Sequence, residues 1–329
     1  MPSAARDAFV LRTRPPRPAH DPWRPHGTVV DEEPDAQRRP VDAVTVFLTG
    51  RECPWRCVMC DLWRYTVPHD TPRGAIPAQI DLALASLPPA TPGRARHLKL
   101  YNAGSFFDPH AVPDADYPAI VDRLDGFARL VVESHPALIG RRVDRLLALL
   151  DARATAGAPL VGLEVAMGLE TTHAGALEQL NKRMTVRQYV DAAARLAARG
   201  VGLRAFVLIA PPFVPLGERA FWLAHAVDTA FDVGASIVSI IPVRAGNGAM
   251  DQLARQGTWR PPDLDEVEDA FDAIVARGRG RVLLDPWDLD RLLTCAACAP
   301  ARRQRVAAMN MTGQVLDRVR CDVCARRAS

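Results

Sequence analysis

From Val41 onward, short apolar runs alternate with stretches in which apolar residues recur every three or four positions. The runs are rich in β-branched residues and predict strands, whereas the longer period predicts amphipathic helices. Strands are predicted over 43–49, 97–102, 129–133, 161–167, 202–209 and 236–242. Helices are predicted over 76–87, 115–127, 137–152, 173–182, 185–199, 217–233 and 263–277. The best-delimited helix starts at Thr185, which has capping-box spacing to Gln188.

The alternation of strands and helices predicts an α/β fold with a parallel sheet and right-handed crossovers. Six predicted strands fall short of the eight units of a complete barrel. We therefore expect a partial (β/α)6 TIM-like barrel, with a doubly wound sheet as the alternative. In either fold a ligand would lie at the carboxyl ends of the strands.

Composition divides the chain into three parts. Residues 1–40 contain eight prolines and seven arginines and predict an irregular arm. Residues 41–285 predict the barrel, and residues 286–329 hold four of the seven cysteines and predict a C-terminal cysteine-rich metal-binding ribbon. No apolar run approaches the roughly 20 residues that a membrane span needs, and the first residues lack the apolar core of a signal peptide. We therefore expect a cytoplasmic protein without membrane contact.

The net charge of the 329-residue chain is only +3, but its C-terminal end is basic. From residue 301 onward there are two acidic residues and seven arginines, at positions 302, 303, 305, 318, 320, 326 and 327. Such an end can contact nucleic acid phosphates or act as a solubilising tail, and both interpretations stay open. Under the first, a structured RNA would dock through Arg318, Arg320, Arg326 and Arg327.

The first group of cysteines follows the first predicted strand of the barrel. Cys53, Cys57 and Cys60 have the spacing C-x3-C-x2-C. Three thiolates can hold three irons of a [4Fe–4S] cluster and leave the fourth iron open, whereas such clusters normally have four cysteine ligands. A structural zinc site would need a fourth ligand, for which His69 is the nearest candidate. Disulfides are disfavoured by the odd number of cysteines and by the expected reducing compartment.

The second group of cysteines consists of two C-x2-C pairs separated by 22 residues. Its members are Cys295, Cys298, Cys321 and Cys324. Four thiolates fit a tetrahedral Zn²⁺, and they fit an auxiliary [4Fe–4S] cluster equally well by ligand count. We favour zinc, because Val306 to Arg320 is interpreted as a hairpin between two knuckles of a zinc ribbon.

The triplet and the segments after the later strands resemble the radical S-adenosylmethionine (SAM) superfamily. Tyr101-Asn-Ala-Gly-Ser105 is similar to the turn that binds the SAM methionine amino group, which implies cofactor contacts from Asn102, Gly104 and Ser105. Glu133-Ser-His-Pro136 is similar to the segment that meets the SAM ribose, which implies contacts from Glu133 and Ser134. Gly168-Leu-Glu-Thr171 resembles a segment of the tRNA-modifying branch of the superfamily.

Within that superfamily the chain resembles the archaeosine-biosynthesis radical SAM lyase family. The shared features are 102–108 (NAGSFFD), 133–136 (ESHP), 210–213 (APPF) and C-terminal cysteines after an aspartate-rich segment around Trp287. That family cleaves a C–N bond in a modified 7-deazaguanine base of tRNA. The resemblance implies a lyase that acts on tRNA or another structured RNA, with flavodoxin or ferredoxin as the electron donor.

The resemblance also implies the chemistry. One electron from the cluster would cleave SAM, and the resulting 5′-deoxyadenosyl radical would abstract a hydrogen from the substrate. We expect Glu170 and Arg204 to act in catalysis. Glu170 could instead cap the next helix, and Arg204, inside an apolar strand, needs a partner, which would be Glu170 or a ligand carboxylate.

Two other functions remain open at this point. The chain could be a radical SAM enzyme that tailors a small metabolite or natural product, since extended Lys/Arg stripes are lacking outside the C-terminal end. It could also be a non-catalytic iron–sulfur and zinc protein that binds nucleic acid. Anaerobic incubation with SAM and a strong reductant separates a catalyst from such a binder.

Overall fold

The computed structural model describes residues 3–287 and 289–328, without the side chains of residues 327 and 328. One sheet contains eight strands in the same order as in the chain. The strands are β1 Gly27–Pro34, β2 Pro40–Leu48, β3 Arg96–Asn102, β4 Arg129–Glu133, β5 Gly162–Glu170, β6 Gly202–Ile209, β7 Ala235–Pro242 and β8 Arg281–Leu284. β1 pairs antiparallel to β2, and every later pair is parallel. The sheet curls into a half barrel, as predicted.

Helices follow most of the parallel strands. They are α1 Ser3–Thr13, α2 Ala75–Ala85, α3 Tyr117–Val121, α4 Arg141–Thr155, α5 Ala174–Gln179, α6 Val186–Ala197, α7 Arg219–Asp232, α8 Ala249–Arg255, α9 Leu264–Ala276, α10 Ala299–Thr312 and α11 Asp322–Ala328. The capping box predicted at Thr185 is confirmed at the start of α6. None of the helices in the described residues is long and apolar enough to cross a bilayer.

The six predicted strands correspond to β2–β7, and two strands were not predicted. β8 was missed, and β1 lies in the segment predicted to be irregular. The irregular assignment of residues 1–40 is wrong for β1 and also for α1. β1 forms because a tight turn returns the chain to β2, with Asp35 Oδ1 accepting hydrogen bonds of 2.8 Å from the backbone of Gln37 and Arg39. The division into three parts stays a prediction.

The two faces of the strands have different surroundings. Successive side chains of a strand point to opposite faces, and Leu98 and Leu100 are fully buried in the large apolar core under the helices. Lys99 and Tyr101 point to the inside of the barrel, where the Tyr101 ring lies 6.0 Å from that of Phe206. The barrel interior is therefore partly polar, and polar groups there need partners.

Buried ion pairs fill the interior near the amino ends of the strands. Arg204 Nη2 lies 2.7 Å from Glu33 Oε2, and Arg204 Nε lies 2.9 Å from Glu164 Oε1. Lys99 Nζ lies 2.7 Å from Glu33 Oε1. Glu33 reaches this network from β1, so the unpredicted strand supplies the carboxylate that two buried cations share.

The C-terminal segment gathers its cysteines as predicted, but without a hairpin. The predicted hairpin over Val306 to Arg320 is wrong, because α10 continues to Thr312 and an extended segment without regular secondary structure then runs to Cys321. Val306 and Met309 are buried on one face of α10, which is a helical spacing. Gly313, in the left-handed region with φ of 63°, ends the helix.

Candidate active site at the carboxyl ends of the strands

The first cysteine group lies in the loop that leaves the carboxyl end of β2. Cys53, Cys57 and Cys60 are half-buried and free. Burial raises the pKa of Cys53 to about 11 and that of Cys60 to about 12, and it raises the pKa of Cys57 well above its ordinary value. Thiols in this environment need a bound cation to favour the thiolate form, and metal binding provides one.

The loop is fixed by backbone hydrogen bonds to its neighbours. Val58 N donates to Leu180 O at 2.9 Å, and Asn247 Nδ2 donates to Val58 O at 2.8 Å and to Cys60 O at 3.1 Å. Asn247 is buried and lies in the segment between β7 and α8. Sequence reasoning missed this residue, because nothing local to its position indicates a contact 187 residues away.

The N-terminal segment also contacts the cysteine loop. Asn181 Nδ2 donates to Arg56 O at 2.8 Å and to Asp7 Oδ1 at 2.7 Å, so α1 and the loop share one amide. Arg14 Nη1 lies 2.7 Å from Glu52 Oε1. The segment that composition predicted to be irregular therefore covers the cysteine loop.

The turn after β3 packs tightly beside the cysteine loop, with Cys53 N donating to Ala103 O at 3.4 Å. A Cβ on Gly104 would lie well inside contact distance of Arg51 O, so this position needs glycine. Ser105 has φ of 68° and accepts a hydrogen bond of 3.1 Å at Oγ from His135 N. Asn102 is buried, and neither polar atom of its side chain has a hydrogen-bond partner among the described residues. A bound polar group would satisfy this amide.

The carboxyl end of β4 brings two more predicted residues to the same place. Phe106 N donates to Glu133 O at 2.8 Å, which joins this strand end to the turn after β3. Burial raises the pKa of Glu133 to about 7; the positive charge of Lys182 opposes this rise, and the negative charge of Glu170 adds to it. Ser134 is buried, and its hydroxyl donates to the backbone oxygen of His135 at 3.3 Å.

The raised pKa of Glu133 gives a pH prediction. Its pKa is about 7 in the folded chain and 4.5 ordinarily, so its contribution to stability is present below pH 4.5 and lost as the pH rises through 7. Glu133→Gln should therefore stabilise cofactor-free protein at pH 8 by about 1–2 kcal/mol and have little effect at pH 4.5. Urea unfolding at both pH values measures this, and an equal effect at the two would contradict it.

His135 links the strand end to the cysteine loop. Its ring stacks on Trp55 at 3.7 Å with an interplanar angle of 11°. Nδ1 accepts from Ala137 N at 3.1 Å, so Nε2 carries the proton and donates to Lys182 O at 3.0 Å. Burial, followed by the charge of Lys182, lowers the pKa of His135 to about 3, and the ring is therefore neutral at physiological pH.

Glu170 lies at the carboxyl end of β5 and forms a buried ion pair with Lys182. A bulge between Gly168 and Glu170 and a φ of 65° at Glu170 turn this side chain into the site. Burial opposes the charged form of Lys182, but Glu170 and Cys57 raise its pKa. Lys182 was not among the site residues singled out from the sequence, and its burial comes from the tertiary fold.

Gly168 makes room for this ion pair. A Cβ there would overlap both Glu170 Oε1 and Lys182 Nζ. Gly168→Ala should displace the pair and lower the rate of the SAM cleavage predicted from the sequence by roughly 10–100-fold, the usual effect of disturbing groups that support a metal site. Gly162→Ala in the same strand is the control, because its nearest neighbour would be 3.8 Å away. Equal rates for the two variants would contradict this role.

Arg204 does not join this group. It lies in the first half of β6, at the opposite end of the barrel, and its partners are Glu33 and Glu164. Arg204 was expected to pair with Glu170 or with a ligand carboxylate; its observed partners are two other carboxylates of the chain, and Lys182 occupies Glu170. The structure therefore brings together the cysteine triplet, Glu170 and the predicted cofactor contacts, and separates Arg204 from them.

The second cysteine group forms a compact cluster of its own. The sulfur atoms of Cys295, Cys298, Cys321 and Cys324 all lie within 4.8 Å of one another and could hold a metal ion. Cys295 Sγ lies 3.9 Å from Cys321 Sγ, and Cys298 Sγ lies 3.7 Å from Cys324 Sγ. These four thiols are partners of each other and supply no fourth ligand to the triplet.

Several arginines of the basic C-terminal end have carboxylate partners. The pairs are Arg302 with Glu268, Arg303 with Asp290, Arg305 with Asp272, and Arg318 with Asp269 and Asp272. Arg320 is exposed, and the side chain of Arg327 lies outside the described residues. Docking of RNA through this end remains a prediction, but much of its positive charge is engaged within the protein.

Comparison with known proteins gives distant likenesses. No protein-family model matches the chain. An uncharacterized protein of Methanocaldococcus jannaschii is 25% identical over 173 residues, which are 51% of this chain and 45% of that protein. The chain thus spans about half the length of this relative.

Solved structures with similar folds share little sequence with the chain. Elp3 of the archaeon Methanocaldococcus infernus is 14% identical, with a TM-score of 0.47 over 64% of this chain and 51% of that one. The radical SAM methyltransferase TsrM of Kitasatospora setae is 16% identical, with a TM-score of 0.40 over 63% and 39%. The radical SAM enzyme HemN of Escherichia coli is 14% identical, with a TM-score of 0.43 over 70% and 50%.

Proposed function

We propose that the chain is a radical SAM enzyme. The observation that carries this proposal is the position of three cysteines, without a fourth, at the carboxyl end of the first parallel strand of a half barrel. The four other cysteines are gathered in their own cluster, so a [4Fe–4S] cluster on Cys53, Cys57 and Cys60 would keep one iron open. The buried amide of Asn102, unpartnered among the described residues, supports a polar ligand beside this loop.

The residues around the cysteine triplet are suited to binding a [4Fe–4S] cluster together with SAM. When bound, the cluster would supply one electron to SAM, whose S–C5′ bond would break to give the radical that removes a hydrogen atom from the substrate. Asn102, Gly104 and Ser105 would hold the methionyl end of SAM, and Glu133 and Ser134 would hold its ribose.

The remaining side chains at the carboxyl ends of the strands set the charge beside the cysteines and hold the cysteine loop in position. Lys182 places a positive charge beside Cys57, which favours the thiolate form. Glu170 holds Lys182 in place through their buried ion pair. The neutral ring of His135 ties the strand end to Trp55 and to the Lys182 backbone, and so keeps the loop in position. Helix α1 is joined to the loop through Asn181, whose amide donates to both Asp7 and Arg56 O.

The enzyme class is tested by anaerobic reconstitution with iron and sulfide, followed by incubation with SAM and dithionite. We expect about four irons per chain at the triplet and formation of 5′-deoxyadenosine, detected by mass spectrometry. Iron binding without any SAM cleavage would favour the non-catalytic binder instead.

We propose that the substrate is a modified nucleoside in RNA. The proposed reaction is a C–N lyase step in 7-deazaguanine tRNA modification, with an electron donor such as flavodoxin or ferredoxin. Exposed rings at the start of α7, the helix that follows the carboxyl end of β6, support this proposal. Phe221, which is 61% exposed, contacts Trp222 and His225, and Trp222 contacts His173 just after β5. Proteins commonly stack unpaired RNA bases on such rings.

A small metabolite is the second candidate substrate, and the ion pairs of the C-terminal arginines favour it. Measurements of RNA binding and of RNA nucleosides distinguish the two candidate substrates. An RNA substrate predicts binding that weakens as salt rises and a changed nucleoside in RNA from a deletion strain, seen by mass spectrometry. Binding without salt dependence together with unchanged nucleosides would replace RNA with the small metabolite.

A further inference from the structure

The second cysteine group has the dimensions of a single-ion site. In a tetrahedral zinc site with Zn–S bonds of about 2.3 Å, neighbouring sulfurs lie about 3.8 Å apart. Two sulfur–sulfur distances in the cluster, 3.9 Å and 3.7 Å, match this value. In a [4Fe–4S] cluster each thiolate binds a different corner iron, which separates the sulfurs to about 6 Å, whereas all four here lie within 4.8 Å.

From this geometry and the packing of the adjoining helix, we infer that Cys295, Cys298, Cys321 and Cys324 bind one Zn²⁺, and that this ion fastens α10 across the two edges of the half barrel. Zinc is preferred over harder cations because all four ligands are thiolates. This inference concerns the architecture of the chain and does not depend on the proposed radical chemistry.

The helix next to the site bridges the two edge strands. β1 and β8 end the sheet on either side, and within the described residues they do not pair with each other. α10 contacts both strands. On the β8 side, Asn310 Oδ1 accepts from Leu284 N at 2.8 Å, and Asn310 Nδ2 donates to Leu284 O at 2.9 Å. Asn310 thus satisfies both backbone groups of the last residue of β8, an edge strand whose free groups otherwise invite pairing.

The β1 side is joined by the turn between β1 and β2. Gly313, at the end of α10, lies against the guanidinium of Arg38, where a Cβ would overlap it. Arg38 Nη2 donates to Gly280 O at 3.2 Å, and Arg281 Nη1 donates to Pro34 O at 2.9 Å. The turn, β8 and the end of α10 therefore close one side of the half barrel together.

The ion would hold the two ends of this segment. Cys298 is the residue before the first turn of α10, and Cys324 lies in α11, which has only seven residues. The chain between the helices has no regular secondary structure, and Arg305 anchors it by donating to Leu316 O at 2.7 Å. A metal that joins the first pair of cysteines to the second closes this loop and restricts the unfolded chain, as a crosslink does.

The functional consequence is a restriction of access. Partial barrels are open between their edge strands, and here α10 covers that opening with Val306 and Met309 buried against the core. A substrate would then enter the barrel through the mouth at the carboxyl ends of the strands, where the cysteine triplet lies.

Metal analysis of anaerobically purified full-length protein tests the site. We expect about one zinc per chain and a zinc X-ray absorption spectrum that fits four sulfurs at about 2.3 Å. Cys57→Ala is the matched control, and it should lose iron from the triplet while keeping zinc. Iron–sulfur absorption in the Cys53, Cys57 and Cys60 triple alanine variant, with no zinc, would overturn the inference. Zinc content is measured without SAM, so its result is independent of whether SAM is cleaved.

Hydrogen exchange tests the role of the ion as a fastening. Cys321→Ser should lose zinc and speed amide exchange at least about tenfold in α10, β1 and β8, with β4 to β6 unchanged, because local opening is sensitive to lost tertiary contacts. Loss of zinc with unchanged exchange would overturn the fastening role. If this variant does not fold, removal of zinc from the wild-type protein with a chelator decides: faster exchange in α10, β1 and β8 supports the role of the ion, and unchanged exchange overturns it.

Discussion

Replacing Cys57 with alanine is expected to abolish reductive cleavage of SAM while leaving the fold largely intact. Two remaining thiolates, Cys53 and Cys60, could not hold three irons of the proposed cluster, and without that cluster no electron would reach SAM. The loop keeps its backbone contacts through Val58 and Asn247, which do not depend on the Cys57 side chain. Iron content and 5′-deoxyadenosine formation measure the first effect, and circular dichroism measures the second.

The control for this variant comes from the other cysteine group. Cys321→Ser removes a thiol from the C-terminal cluster and should leave both the iron at the triplet and the cleavage of SAM in place. The comparison separates loss of the reactive centre from general sensitivity to thiol loss. Full SAM cleavage by the triple alanine variant of Cys53, Cys57 and Cys60 would exclude the assignment.

The sequence was most informative about strands that are buried on both faces. The strands β2–β7 are covered by helices on one face and line the barrel interior with the other. They are therefore recognisable as apolar runs without knowledge of their neighbours. β1 is different, because its sequence Gly27-Thr-Val-Val-Asp-Glu-Glu-Pro34 is acidic and proline-terminated. The pairing of β1 depends on the turn at Asp35 and on the ion pairs that Glu33 forms with buried cations. A local hydrophobic pattern reveals neither of them.

The same distinction applies to the site. The cysteine triplet could be predicted because its ligands are close in the chain, and the turn at 102–105 and the end of β4 could be placed beside it from the topology of parallel strands. Asn247 could not be predicted, because its contacts with the cysteine loop join segments far apart in sequence. Lys182 is close to Glu170 in the chain, but its burial beside Cys57 depends on the tertiary fold. Arg204 was recognised as a buried charge in need of a partner, but the sequence could not show which carboxylate would meet it.

Arg204→Met is expected to destabilise the protein by about 3–5 kcal/mol, because it leaves two buried carboxylates without their main partner. Arg204 is 2% exposed and binds both Glu33 and Glu164. Burial opposes the charge on Glu33, but Arg204 and then Lys99 hold the pKa of that carboxyl well below its ordinary value. Its contribution to stability is therefore present above about pH 4.5 and lost as the pH falls. Urea unfolding at pH 7 and pH 4 should show a larger difference from wild type at pH 7.

Arg129→Met is the matched control, because Arg129 pairs with Glu164 at 3.2 Å but its side chain is 38% exposed. Its loss should cost no more than about 1 kcal/mol, as for other exposed pairs.

The two variants also distinguish a structural from a catalytic role for Arg204. At a temperature where the Arg204→Met protein remains folded, SAM cleavage per iron-loaded chain should equal that of wild type, because the network lies at the end of the barrel opposite the cysteines. If the folded Arg204→Met variant retains its cluster but fails to cleave SAM, Arg204 is a catalytic residue after all. If the variant loses less than about 1 kcal/mol of stability, the ion pairs of Arg204 contribute little to the stability of the fold.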